Sequence, residues 1–378
     1  MNRVILFFFF LSISVINLFG EVEMPYLKRE GNTFRLIVDG KPYMMIAGEL
    51  HNSSTSTINY MKPIWDKMVK GNLNTVLAVV SWQQFEPVEG NFDYSLIDSM
   101  IREAELRNLK LVFLWFGTWK NGESSYTPDW VKKNTKRFFR VKNKEGEEIE
   151  TISPFCEEAR KADCKAFKNL MSYLAENDTN HTVIMIQPEN EMGIFQDIDY
   201  SKAALKAFNE EVPIKLIEYI RNNERKLEKQ LLTSWISNGR KNEGNWVDVF
   251  GDNPYTKEFF MASQYASYVN DVAGCGKEVY PLPMFVNAWI IQTPDQLPGQ
   301  YPNGGPVSRV LDIYKALANN IDVLCPDIYL PDFKNEVAKY IRYDNPLLIP
   351  ESKYEPGRAK ARFMLLPNVM HYVSQYLV

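Results

Sequence analysis

Apolar residues in this chain fall into short unbroken runs, separated by stretches in which they recur every three or four positions. Runs such as Thr75-Val76-Leu77-Ala78-Val79-Val80, Lys110-Leu111-Val112-Phe113-Leu114-Trp115-Phe116 and Thr182-Val183-Ile184-Met185-Ile186 show no polar face. They read as strands covered on both sides, as in parallel sheets with helices packed outside. Between the first runs, residues 58–71 set Met61, Ile64, Trp65 and Met68 on one helical face and stop at Gly71. Residues 95–106, 157–176, 257–272 and 307–319 read as further helices, and residues 238–253 as a Gly/Asn-rich loop after a short apolar piece at 231–235. Residues 33–49 read as strand, Asp39-Gly40 turn and strand, with 43–47 the first strand of the parallel set. Strands five, six and seven are expected at 284–287, 321–326 and 347–350. Regular alternation of strand and helix predicts a parallel α/β fold, here a (β/α)8 TIM barrel. Residues 371–378 either supply the eighth strand or leave strands one and seven as open edges.

The polar residues gather where the apolar runs stop. Strand four breaks into Gln187-Pro188-Glu189-Asn190-Glu191, and strand seven ends Pro350-Glu351. Carboxyl ends of parallel barrel strands are where such folds place their chemistry. Each acid also has a plainer reading: Glu189 and Glu191 as a helix start, Glu351 as a first-turn acid before Ser352. Taken together, two carboxyls delivered by two strand ends are what hydrolysis of a glycosidic bond requires. Glu191 is then the proton donor, kept protonated by a less polar setting and by its neighbour's charge, and Glu351 the ionised nucleophile. Asn190 is placed to hold a sugar 2-hydroxyl. Candidates to bind substrate at the other exits are Glu49 and His51 (strand one), Trp82 and Glu86 (strand two), Asn287 and Trp289 (strand five) and Tyr329 (strand six). A buried ion pair, a rim histidine and a rim tyrosine are the structural alternatives for Glu49, His51 and Tyr329. Trp115 is expected in the core, and Trp119 and the Pro/Gly-rich residues 294–306 in the cleft wall.

Composition narrows the choices. The chain has 378 residues, 45% of them apolar, enough for one α/β barrel or two ordinary domains. A net charge of -4 gives no electrostatic reason for a nucleic acid or an anionic membrane as partner. Only three histidines are present, His51, His181 and His371, which disfavours a histidine-based metal centre, and neither a metal nor an organic cofactor is expected. Cys156, Cys164, Cys275 and Cys325 lack zinc-site spacing. Cys156 and Cys164 are candidates to pair in an oxidising compartment, while Cys325 reads as a buried thiol. Met1-Asn2-Arg3 and the apolar residues 4–19 read as a signal peptide, residues 1–20, because the run is short for a membrane span. Residues 21–378 are then one catalytic domain, secreted or periplasmic, with no membrane segment in the mature form.

The Asn190-Glu191 pair at strand four with Glu351 at strand seven resembles the clan A glycoside hydrolases. Within that clan, several stretches look like the bacterial family 35 β-galactosidases and their family 42 neighbours. These are Gly48-Glu49-Leu50-His51, Trp82 through Glu86-Pro87 with Asn91-Phe92-Asp93, Pro283-Met284-Phe285-Val286-Asn287-Ala288-Trp289, the loop 298–306 and Pro326-Asp327-Ile328-Tyr329. The resemblance implies a (β/α)8 barrel, Glu191 as acid/base, Glu351 as nucleophile, Asn190 on the 2-hydroxyl and Tyr329 bonded to Glu351. Similar enzymes usually carry a further β-rich C-terminal domain, so it also implies a chain that ends near the eighth strand without that domain. The expected function is a retaining exo-glycosidase releasing terminal β-galactose from a carbohydrate substrate. Alternatives are another β-glycosidase or endo-glycanase on the same barrel, or an inactive sugar-binding remnant.

Overall fold

Seven consecutive residues with no exposed side, Thr75–Ser81, form strand β5 of a parallel sheet, and the same logic builds its neighbours. The computed structural model describes residues 23–31, 33–352 and 375–376. An antiparallel hairpin comes first, from β1 (Tyr26–Glu30), β2 (Thr33–Val38) and β3 (Lys41–Pro42), turning through Asp39 and Gly40, both at positive φ. The first barrel strand, β4 (Ala47–Glu49), starts later than the expected 43–47. Tyr43 still belongs to the hairpin, its N–H bonded to Leu36 O at 2.8 Å, and Asn74 Oδ1 takes the Ile46 N–H at 2.8 Å.

From β4 the parallel sheet runs to β5, β6 (Lys110–Lys120) and β9 (Val183–Asn190). A side hairpin, β7 (Arg140–Lys142) with β8 (Glu148–Ile152), lies between β6 and β9 in sequence. The Ile186–Met284 bridge joins β9 to the approach of β10 (Phe285–Trp289), which pairs in parallel with β11 (Val323–Asp327). Residues 347–350 join no ladder, contrary to the expected seventh strand. Pro346 and Pro350 remove two N–H donors there, and Asn345 supplies the bonds instead, to the N–H and C=O of Leu324 at 2.9 Å each. Just beyond, Ile328 N–H reaches Glu351 O at 2.9 Å and Ile328 bridges Ser352 in parallel. At the other edge, β12 (Gln375–Tyr376) pairs in parallel with Gly48 and Glu49, within the stretch expected to provide strand eight. The expected signal peptide lies outside the described residues.

Helices Ile58–Lys70, Ser95–Glu105 and Glu157–Asn177 fall where the apolar spacing predicts. The 231–235 piece is the middle of helix Lys229–Ser237, and the expected loop after it contains helix Trp246–Phe250, begun by a reciprocal cap between Asn245 and Asp248. The 24-residue helix Pro254–Lys277 is covered nearly all round, lying against Glu157–Asn177 on one side and Leu311–Leu317 on another. All four cysteines are free. Cys156 caps the helix in which Cys164 sits two turns further on, about 12 Å along the axis, too far for a disulfide. Cys164 instead faces Cys275, and Cys325 is buried as expected. Among the described residues no helix is long and apolar enough to cross a membrane.

Candidate active site

Strand β6 runs four residues further than its apolar run suggests, and those four residues shape the site. Its pairing with β9 slips between Trp115 and Lys120, so that Lys120 comes to lie opposite Asn190. Such a bulge re-aims the side chains after it. Gly117 sits at the slip, and a Cβ there would stand 2.8 Å from Glu189 Oε1 and 2.9 Å from Asp163 Oδ1. Only glycine lets those two carboxyls reach the strand.

The turn at the end of β9 is strained. Glu189 and Glu191 both have positive φ, 64° and 43°, a conformation costing about 1–3 kcal/mol at a non-glycine residue and held only where surroundings enforce it. Glu189, fully buried, accepts the N–H groups of Thr118 at 3.2 Å and Trp119 at 2.7 Å. Burial, then the charge and hydrogen bond of Asp163, push its carboxyl well above the usual range. It therefore acts as a brace for the end of β6, and no helix starts there, since the next one begins at Lys202. Glu191 is pinned by its own N–H, which donates to Asn287 Oδ1 at 2.9 Å.

Around that turn the strand ends converge. Carboxyl oxygens of Glu191, Asp327 and Glu351 all lie within 4.8 Å of one another. Glu351 Oε1 accepts from Asn190 Nδ2 and Asn287 Nδ2, each at 3.3 Å, and Oε2 accepts from the Tyr329 hydroxyl at 2.8 Å. Lys120 Nζ donates to Asn190 Oδ1 at 2.8 Å. Burial, then the Glu351 charge, raises the Glu191 carboxyl to about 7, against the opposing pull of Lys120 and Asp327. Glu49, buried beside Glu351, is pushed well above the usual carboxylate range, first by burial and then by the Glu351 charge. A cavity of about 330 Å³ opens over this cluster, lined among others by His51, Lys120, Glu191, Trp289, Tyr329 and Glu351. That volume is of the order of small-molecule sites.

The expected site residues divide accordingly. Glu191, Glu351, His51, Trp289 and Tyr329 line the cavity. Asn190 and Asn287 are buried just behind it and reach Glu351 with their amides, and Glu49 also lies behind, against Glu351. Trp82 and Glu86 are elsewhere. Their side chains bond each other, Trp82 Nε1 to Glu86 Oε2 at 2.7 Å, and Glu86 Oε1 takes the Gly90 N–H at 2.7 Å. They brace the loop after β5 and line no part of the cavity. Trp119 belongs to the core rather than the cleft wall, with Nε1 on Ile152 O at 3.0 Å and its ring against Tyr265 and Tyr268. Residues 294–306 stand back from the cavity, Asn303 holding residues 194–197, and Gln292 lines the wall in their place. Lys120 and Asp327 were missed as site residues. The isolated Gly117 in an apolar strand is the available signal for the bulge that aims Lys120, and Asp327 sits in the position at the end of strand six that Glu191 and Glu351 hold at theirs.

The profile of Glycosyl hydrolases family 35 matches residues 35–261, more than half of the chain. Beta-galactosidase 11 of Arabidopsis thaliana is 30% identical over 117 residues, 30% of this chain but 14% of that protein. The catalytic domain of beta-amylase from Paenibacillus polymyxa aligns with a TM-score of 0.55 at 12% identity, over 82% of this chain and 85% of that one. Beta-galactosidase from Bacillus circulans sp. alkalophilus aligns with a TM-score of 0.53 at 14% identity, over 83% of this chain and 45% of that one. These structural likenesses establish the fold, that of the TIM-barrel glycoside hydrolases. The chain spans less than half the length of the Bacillus enzyme. Glu49, Asn190 and Glu191 fall inside the family match, while Asn287, Asp327 and Glu351 lie beyond it.

Proposed function

Because this chain belongs to Glycosyl hydrolases family 35, we propose that it is a retaining exo-glycoside hydrolase that releases terminal β-D-galactose through two glutamates. The observation that carries the reading is that Glu191 and Glu351 face one cavity and each bring a carboxyl oxygen to within 4.8 Å of the other's, leaving little room for a water between them. Retaining enzymes hold their pair about 5–5.5 Å apart, and inverting ones about 6.5–9.5 Å, to admit a water.

In the first step the Glu351 carboxylate attacks the anomeric carbon, the bond to the leaving oxygen breaks, and Glu191 gives that oxygen its proton. The product is a glycosyl ester on Glu351. In the second step Glu191, now a carboxylate, takes a proton from water as the water attacks the same carbon and frees Glu351. A carboxyl raised to about 7 suits both duties. Asn190 and Asn287 direct their amide N–H groups at one Glu351 oxygen and the Tyr329 hydroxyl bonds the other, so all three hold the attacking carboxylate in line. Galactose is supported by the names of the relatives.

A panel of aryl β-glycosides, followed by NMR of the first-formed anomer, tests this reading. Preferred cleavage of the galactoside with release of β-galactose is expected. Release of the α-anomer would overturn retention, and preference for another sugar would overturn the substrate.

A further inference from the structure

Asp327 is the third carboxyl of the cluster and has no duty in either step above. It ends β11, is 2% exposed, and its Oδ2 accepts from Asn287 Nδ2 at 2.7 Å. The other oxygen, Oδ1, is buried and receives no N–H or hydroxyl, and the carboxyl is packed against two others, with oxygens of Asp327, Glu191 and Glu351 within 4.8 Å of one another. Ionised carboxylates only accept hydrogen bonds, so carboxyls buried this close together relieve their repulsion when one of them carries a proton it can donate. A bare charge at this depth is also costly. The groups facing Asp327 do not offset such a charge. Glu49 on β4, Glu191 after β9 and Glu351 are further acids, and Cys325 and Tyr340 are buried weak acids. The Tyr329 hydroxyl is bonded to Glu351 and the Lys120 ammonium to Asn190.

We propose that Asp327 is a positioning residue for the proton transfer, a neutral carboxylic acid whose O–H donates to Glu191 and steadies the Glu191 carboxylate once its proton has gone to the leaving oxygen. The inference rests on Glu191 being the acid/base. Burial, then the charges of Glu351 and Glu191, hold the Asp327 carboxyl well above its ordinary range, and the same contact lowers Glu191. Asn287 completes the arrangement, bonding Asp327 Oδ2, the Glu191 N–H and Glu351 at once, which leaves Asp327 Oδ1 as the oxygen without an N–H partner.

The test compares pH profiles of kcat/KM for the full chain and its D327N, D327A and E191Q variants on one aryl glycoside. Asn at 327 keeps the shape and an N–H donor, so D327N lowers kcat severalfold but keeps the alkaline limb where the unsubstituted protein has it. D327A removes the donor and moves the limb to higher pH, with a larger loss in kcat. An alkaline limb that moves down in D327N, as loss of a negative neighbour would cause, overturns the proposal. An infrared difference spectrum between the unsubstituted protein and D327N at neutral pH reads Asp327 without catalysis: the carbonyl band of a buried protonated acid is expected, and its absence overturns the proposal. An alkaline limb that persists in E191Q overturns the Glu191 assignment instead, a result distinct from either outcome for Asp327.

Discussion

The ammonium of Lys120 lies 2.8 Å from Oδ1 of Asn190, and that contact fixes which way the Asn190 amide points. A lysine only donates, so the carbonyl oxygen must face Lys120 and the NH2 group must face Glu351. With Lys120→Met, the amide is free to turn and the charge opposing protonation of Glu191 is gone. The expected result is a loss of kcat/KM of roughly 10–100-fold at pH 7 and an alkaline limb shifted upward. Steady-state kinetics across pH check both.

Replacing Glu191 by Gln removes the proton donor but leaves the nucleophile. Substrates with poor leaving groups should slow by roughly 10²–10⁴-fold, the usual worth of general acid catalysis, while activated aryl glycosides should lose far less in their first step. Equal losses on both classes would count against Glu191 as the acid.

The buried acids also set the pH dependence of stability. Glu49, Glu189, Glu191 and Asp327 all hold their protons more tightly when folded, so across the affected window the native state binds more protons than the unfolded one. Their stabilisation is complete below the ordinary carboxylate range and is lost as pH rises through the folded values, for Glu191 between 4.5 and about 7. Each such group contributes a slope of up to about 1.4 kcal/mol per pH unit. Calorimetry should therefore show Tm falling as pH rises through that window, and less steeply in Glu191→Gln. A Tm that climbs over the same range would contradict the assignment.

Glu86 separates bracing from catalysis. Its carboxylate holds Trp82 Nε1 and the Gly90 N–H, both at 2.7 Å. Glu86→Ala leaves buried donors without partners and should cost about 1–3 kcal/mol of stability, with little change in KM. Denaturant unfolding alongside kinetics distinguishes this from a direct contact with sugar, for which KM would rise.

The parallel strands and the convergence of Glu191 and Glu351 on one cavity were legible in sequence because each rests on a local signal. Unbroken apolar runs mark strands buried on both faces, and an acid directly after such a run marks a strand exit. What the sequence did not show depends on pairing between distant segments. Lys120 enters the site through a slip of β6 against β9, which no run of residues reveals beyond Gly117. Glu189 reads like its neighbour Glu191, but its side chain turns back to β6 and braces the strand. Trp82 and Glu86 carry the residue types of a sugar site and use them on each other. Residues 347–350 have the composition of a strand, but flanking prolines hand their ladder bonds to Asn345.

The central claim is that Glu351 attacks the sugar while Glu191 manages the proton. Incubation with a 2-deoxy-2-fluoro-β-galactoside bearing a good leaving group slows the second step and lets the ester accumulate, so peptide mass spectrometry reads the attachment site directly. Stoichiometric label on Glu351, lost in Glu351→Ala, is the predicted result. A label on another residue, or turnover of the substrate with no covalent adduct at any stage, would contradict it.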